Sequence, residues 1–425
     1  MSKNTKRFSD SEKNNQSNGN KVSQISSYLK AKYDFRYNEV TKETEYKPKN
    51  LEDYSPIDEM AIADLRLDLS EQGYTAFKGL LDDLLKSSRF PQRFNPFKAY
   101  FETLPEWDGK NDFISELTDH VRLEDEGQRE WFRLMFRKHL MRTVACALRK
   151  LSFNKHCLVF LGKQNDGKTS FIRFLAPVEL KDYYKENPPL DHKDSITALG
   201  DNLIINLDEL NDLNKTDANK IKSLLSQADT KVRRHYAVKD SVQVRYASFF
   251  GSTNEREFLN DPTGSVRWIV FEIDGIQHDY GGERGYSKRV SIDNIWAQAY
   301  TMVMEGEAFD LTASEVNRVE EINQKYQRST SEMDYVEKFI KPSEKGVPHT
   351  FAVTPTMILD AIHAVTKTTS KLNIVQLGKA LVKHKCKKVS IRLIPDSNPV
   401  NRYLITSDNP DFLNFLAAHA DYITT

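Results

Sequence analysis

The chain has 425 residues, 39% hydrophobic and 29% charged, with 61 basic side chains balanced by 61 acidic ones. This fits a soluble, core-forming protein of two or three domains at about 150 residues each, and the zero formal charge excludes a basic coat that holds nucleic acid by bulk attraction. No apolar run approaches the width of a bilayer and the polar start lacks a signal-peptide stretch, so a cytoplasmic protein with no membrane partner is expected.

Residues 1–27 are rich in Ser, Asn and Lys and read as a disordered tail. Tyr33-Asp34-Phe35-Arg36-Tyr37 and Thr44-Glu45-Tyr46 alternate around a polar turn, which predicts a hairpin. From Ile57 to Leu85 the leucines 65, 67, 69, 80, 81, 84 and 85 follow helical spacing, and residues 28–150 read as an α-rich N-terminal domain. Within it, Phe97 to Tyr100 and Trp107-Asp108-Gly109 read as aromatic packing points. Residues 151–305 alternate helical stretches with short apolar strands at Leu158–Leu161, Leu203–Leu207, Ala247–Gly251 and Trp268–Ile273, the pattern of an α/β sheet. Residues 306–425 read as a helical linker, Ser314 to Ile340, and a small third unit. There Thr354-Pro355 is a helix start, Leu372, Val375, Leu377, Leu381 and Val382 suggest a second helix, and strands Val389–Leu393 and Tyr403–Ile405 flank the loop Pro395–Pro399. Helix, helix, strand, loop, strand is the order of a winged helix. Cys146, Cys157 and Cys386 are isolated, which supports neither a disulfide framework nor a zinc site.

The chemistry concentrates where the strand ending at Leu161 runs into Gly162-Lys163-Gln164-Asn165-Asp166-Gly167-Lys168-Thr169-Ser170 and then a helix. A triphosphate is held by a ring of backbone N–H groups, so Gly162 and Gly167 let the chain curl without Cβ atoms in the way. Lys168 would reach the β and γ phosphates and Thr169 would bind Mg²⁺, which makes ATP and Mg²⁺ the expected cofactors. A glycine turn can copy the pattern, but the strand before it and the helix after it are the setting a phosphate loop needs. Further on, the strand Asn202–Leu207 ends in Asp208-Glu209, which fits a metal-holding Asp and a water-orienting Glu. Alone these would be solvated carboxylates; joined to the loop, the catalytic reading prevails. Ser248–Asn254 is another apolar strand, and Asn254 could contact the γ-phosphate or the lytic water, although a turn-forming Asn would look the same. Arg267, just before Trp268, could act on the nucleotide of a neighbouring subunit, with a surface salt bridge as the plain alternative.

In this order the motifs resemble a superfamily 3 helicase of the AAA+ class. More specifically, Trp107-Asp108-Gly109, Gly162 to Thr169, Leu207-Asp208-Glu209-Leu210, Thr253-Asn254 and Leu259-Asn260-Asp261-Pro262-Thr263-Gly264 resemble the virulence-associated protein E family of phage and mobile-element replication proteins. The resemblance spans roughly Asn95 to Phe271 and implies a central AAA+ P-loop ATPase domain. It departs from the family at Val266, where a second arginine usually precedes the equivalent of Arg267. No primase motif is evident, so priming would come from a separate polypeptide.

The resemblance further implies a β-hairpin that enters the central channel of a ring. Lys231 to Tyr236 and Val242 to Tyr246 alternate around a polar tip, which makes Lys239, with Arg234 or His235 beside it, the expected DNA contact. Exposed cations on edge strands also protect against aggregation, the plain alternative. Lys383, Lys385, Lys387 and Lys388 give the C-terminal unit a basic helix and wing suited to duplex phosphates, or a solvated face. The expectation is an ATP-dependent DNA helicase and replication initiator that forms a homo-oligomer, a hexamer, on single-stranded or forked DNA. Its rivals are an AAA+ switch or helicase loader that does not unwind, and an interaction protein that binds ATP without turnover.

Overall fold

An unbroken apolar run such as Cys157-Leu158-Val159-Phe160-Leu161 is satisfied by a strand buried on both faces. The computed structural model describes residues 21–74, 78–190, 192–210, 215–232, 241–259, 265–368, 370–391, 400–419 and 421–422, and it puts that run inside a six-stranded sheet. The protein is mixed α/β with several sheets and divides into two compact units, Met1–Tyr326 and Gln327–Thr425.

The first unit opens with helix α1 (residues 21–32), then β1 (Tyr33–Asn38), β2 (Thr44–Pro48), β3 (Ser55–Pro56), α2 (Glu59–Glu71), α3 (Lys78–Lys86) and β4 (Gln92–Phe94). The expected hairpin is present, with Tyr33 opposite Pro48 and Tyr37 opposite Thr44. The tail expected through Ser27 ends sooner. Ile25 and Leu29, one helical turn apart, are buried in one core with Phe35, Leu65, Leu69, Leu81 and Leu85. With Tyr28 packed beside them, these apolar contacts order a segment whose composition is otherwise polar.

Next come α4 (Pro96–Thr103), α5 (Phe113–Asp119), β5 (Val121–Leu123), α6 (Arg129–Ala147), β6 (Cys157–Leu161), α7 (Lys168–Phe174), β7 (Tyr184–Glu186), α8 (His192–Asp201), β8 (Ile204–Leu207) and α9 (Lys215–Ser226). An antiparallel pair, β9 (Thr230–Val232) and β10 (Ser241–Gln243), precedes β11 (Ser248–Thr253), β12 (Trp268–Ile276), α10 (Tyr286–Arg289), α11 (Ile292–Glu305) and α12 (Ala313–Asn323). The main sheet has the order β5-β12-β6-β11-β8-β7. Its strands run parallel except β5, which is antiparallel to β12. The loop after β6 and the Asp208-Glu209 pair after β8 therefore emerge at the same edge, separated by β11.

The boundaries expected at residues 150 and 305 are not where the chain divides. Helix α6 lies on the sheet, with Phe132 against Phe160 and Phe271 and Phe136 against Phe171. Its second half is buried even at Lys138 and Arg142, which pair with Glu315 and Asp310, both at 2.8 Å. Sheet and helix share one core, so the segment before residue 150 completes the α/β layer. Helix α12, started by a Thr312–Glu315 capping box, extends the same unit: Asn323 donates to the Trp268 carbonyl at 2.8 Å. The Trp107-Asp108-Gly109 segment is a local turn, in which Asp108 accepts the N–H groups of Lys110 and Asn111 at 2.9 Å.

The second unit contains α13 (Ser331–Phe339), β13 (Lys341–Pro342), β14 (Phe351–Val353), α14 (Pro355–Thr366), α15 (Ile374–Lys383), β15 (Lys387–Ile391), β16 (Val400–Thr406), α16 (Pro410–His419) and β17 (Asp421–Tyr422). Thr354 caps α14 by accepting the Met357 N–H at 3.3 Å, with Pro355 following it. Val336, Phe339, Phe351, Ile358, Leu377, Leu381, Tyr403 and Phe412 form its own core. The loop Pro395–Pro399 lies outside the described residues.

Candidate functional site

The loop after β6 takes its shape from positions where a side chain would not fit or would be strained. A Cβ on Gly162 would lie 2.7 Å from both Asp166 Oδ2 and Ile273 Cγ1. Gly167 sits at φ +84°, as the cap of α7, and Asn165 at φ +67°, both in the left-handed region. The loop is tied down on both sides: Gly162 N–H donates to the Thr253 carbonyl at 3.1 Å, and Ile276 N–H donates to the Asp166 carbonyl at 2.9 Å.

Lys168 folds back into this loop, its ammonium donating to the carbonyls of Gly162 at 2.8 Å and Lys163 at 2.5 Å. Burial lowers its pKa, an effect partly offset by the charges of Asp166 and Asp208. Thr169 Oγ1 meets the Asp208 carboxylate at 3.0 and 3.2 Å, and Ser252 also donates to Asp208. The Asp208 N–H is held by Asn187 Oδ1 at 2.8 Å. Glu209, next along, is exposed and sits at φ +57°, an uncommon conformation for a side chain with a Cβ.

These groups face a cavity of about 690 Å³ whose lining includes Gln164 to Ser170, Asp208, Glu209, Ser252 and Asn254 on one side and His278, Tyr280, Tyr286 and Ser287 on the other. Folding thus brings together the expected Gln164, Asn165, Asp166, Gly167, Lys168, Thr169, Ser170, Asp208, Glu209 and Asn254. Gly162 and Lys163 are not part of the lining and contribute through their carbonyls to Lys168.

Arg267 lies elsewhere. Register pairs Trp268 with Cys157 and Glu272 with Leu161, so Arg267 sits at the end of β12 opposite the loop, across a strand length of about 13 Å. Its Nε donates to Ser226 Oγ at 2.8 Å. It cannot touch phosphates in its own chain's loop. Arg234, His235 and Lys239 fall outside the described residues; the strands that precede and follow them, β9 and β10, pair with Val232 opposite Ser241. Lys383, Lys385, Lys387 and Lys388 are all exposed around the end of α15 and the start of β15, in the second unit.

Three features escaped the sequence reading. Ser252, near the end of β11 and two residues before Asn254, reaches Asp208, which strand alternation could have indicated. The His278–Tyr280 segment carries no motif. Arg245 resembles a hairpin cation in sequence yet is 1% exposed, its guanidinium enclosed by backbone carbonyls.

A mostly parallel sheet with such a loop at the carboxyl end of one strand, and an acidic pair two strands over, defines an α/β class built around phosphate-loop geometry. The virulence-associated protein E-like domain matches residues 101–328, more than half of the chain, and the protein belongs to that family. Among solved structures it is similar to the apo C-terminal region of NrS-1 (residues 305–718), at 12% identity and a TM-score of 0.49 over 90% of this chain and 98% of that one. It is also similar to the SCCmec type IV Cch active helicase, at 10% identity and a TM-score of 0.38 over 90% of this chain and 94% of that one. No curated protein matches the chain.

Proposed function

We propose that the protein is an AAA+ ATPase of the superfamily 3 kind, a DNA helicase and replication initiator of a phage or mobile genetic element. The observation that carries this reading is the meeting of Thr169 and Asp208 at 3.0 Å beside Lys168, Glu209 and Asn254 around one cavity. The sheet order, with β11 between the loop strand β6 and the acidic strand β8, supports it, as does the family.

In this reading the phosphates lie along the loop, and Lys168 exchanges its two carbonyls for phosphoryl oxygens. The hard oxygens of Thr169 and Asp208 suit Mg²⁺, which keeps several waters and takes phosphate oxygens as further ligands. Bound there, the ion would neutralise charge developing on the transferred group. Glu209 orients the attacking water and Asn254 senses the γ-phosphate. Arg267, out of reach of its own site, serves the site of a neighbouring subunit, which requires a homo-oligomer, a hexameric ring. The hairpin carrying Arg234, His235 and Lys239 contacts DNA in the ring's channel. The second unit, whose elements run α13, β13, β14, α14, α15, β15, β16, α16, β17, is read as a winged-helix-like DNA-binding domain, and its four lysines suit duplex phosphates.

The test is ATP-dependent unwinding of a forked duplex by the wild type and Glu209→Gln, with subunit mass measured under the same conditions. A ring whose wild type alone displaces strands is the expected result. ATP hydrolysis without displacement would instead identify a switch or loader, and no hydrolysis would refute the ATPase reading.

A further inference from the structure

The cavity beside the phosphate loop has two chemically different ends. One carries Asp208, Glu209, Ser252 and Asn254; the other is walled by His278, Tyr280 and Tyr286, with the loop between them. Tyr286 has a structural role: it is 4% exposed and meets Phe171 and Phe174 edge-on at 5.2 and 5.0 Å. Tyr280 does the opposite, with 94% of its surface exposed.

The backbone goes to some trouble to hold Tyr280 there. Asp279, Tyr280 and Gly281 follow one another at φ +45°, +46° and +85°, a region that Asp and Gly tolerate but the bulky Tyr280 disfavours. The turn is fixed by Gly281 N–H to the His278 carbonyl at 3.0 Å, Gly282 N–H to the Asp279 carbonyl at 2.7 Å, and Arg284 N–H to Asp279 Oδ2 at 3.0 Å. Nothing apolar is buried by Tyr280 in return. It stands edge to face with His278, centroids 4.5 Å apart at 84°. The His278 ring in turn lies against the phosphate loop, where a Cβ on Gly167 would come within 2.8 Å of its Cδ2.

We propose that Tyr280, braced by His278, is the stacking platform for the base of the bound nucleotide, so that the loop after β12 reads the purine while the phosphate loop holds the charge. This rests on the nucleotide-binding reading above. An aromatic face recognises any base through its π surface, most strongly the larger purines. The site therefore prefers purine to pyrimidine triphosphates.

Binding of a non-hydrolysable ATP analogue and of inorganic tripolyphosphate, which has no base, is measured by calorimetry on the full chain with Mg²⁺. Tyr280→Ala is expected to weaken the analogue about tenfold, within the range for loss of one aromatic–base stack, and to leave tripolyphosphate unchanged. Tyr280→Phe restores the wild-type value. If Tyr280→Ala changes the analogue by less than twofold, or weakens both probes alike, the platform is refuted. Lys168→Ala separates the two readings: it should weaken both probes, and if it weakens neither, the phosphate site itself fails and the platform with it.

Discussion

Replacing Arg245 tests how the β9–β10 pair is attached to the main sheet. Arg245 is 1% exposed, and its guanidinium donates to the carbonyls of Leu224 at 3.0 Å, Leu225 at 2.9 Å, Gln227 at 2.6 Å and Asn154 at 2.5 Å, with Ala247 at 3.4 Å. The rings of Phe153 and Phe249 lie over it, each 5.4 Å away. Burial draws its pKa down to about 10, yet it stays charged at neutral pH, with the carbonyl end of α9 acting as its counter-charge. The side chain thereby ties the end of α9, the start of β6 and the start of β11 to one point. Arg245→Met keeps much of the volume but removes the guanidinium from those carbonyls, of which Leu224 keeps the Gln227 N–H at 3.2 Å. Each stranded buried group costs about 1–3 kcal/mol, and because Nη1 serves three acceptors with two hydrogens, two or three effective losses give roughly 2–9 kcal/mol. Against a total of about 5–15 kcal/mol this is severe. Urea unfolding followed by tryptophan fluorescence should show that loss, with Arg245→Lys intermediate. A Met variant within about 1 kcal/mol of wild type would refute the clamp.

Acid should weaken the fold through two buried histidines. Burial first, and Arg142 second, hold His139 at about 3 and His156 at about 2, and His156 Nδ1 accepts a hydrogen bond from Arg142. Unfolded, both titrate near 6.5, so stability is full above about pH 6.5 and falls as protons bind the unfolded chain, by about 2 kcal/mol for each histidine between pH 7 and pH 5. His156→Gln should lose about half of that combined histidine contribution in paired denaturation curves; an unchanged pH slope would show that His156 is not held neutral. In the second unit, replacing Lys383, Lys385, Lys387 and Lys388 together by Ala should weaken duplex DNA binding about tenfold or more and flatten its salt dependence, with basal ATP hydrolysis unchanged. Unchanged salt dependence in an equilibrium titration would assign those lysines to a merely solvated face.

Much of the candidate site could be read along the chain because its parts are local. Gly162 to Ser170, Asp208-Glu209 and Asn254 each follow an apolar strand, and parallel strands deliver their carboxyl ends to one edge, so three separate motifs converge without further information. The hairpin at Tyr33 and the capped helix at Thr354 were legible for the same reason, through alternation and cap chemistry. Boundaries were not. The polar stretch around Ile25 and the helix α6 are ordered by partners far away in sequence, Leu65 and Leu69 for one and Phe160 and Phe271 for the other. Arg245 shows the limit most clearly: in sequence it is one more cation beside a strand, and only the fold surrounds it with carbonyls. Tyr280 is the converse, a large aromatic that a left-handed turn holds in solvent beside the loop after β6. Sequence by itself determined which backbone segments could form strands, caps and a phosphate loop, because those depend on residues a few positions apart. Tertiary structure alone decided what is buried, what is paired and which end of the sheet Arg267 occupies, because burial and charge pairing are settled between segments that meet only when the chain is folded.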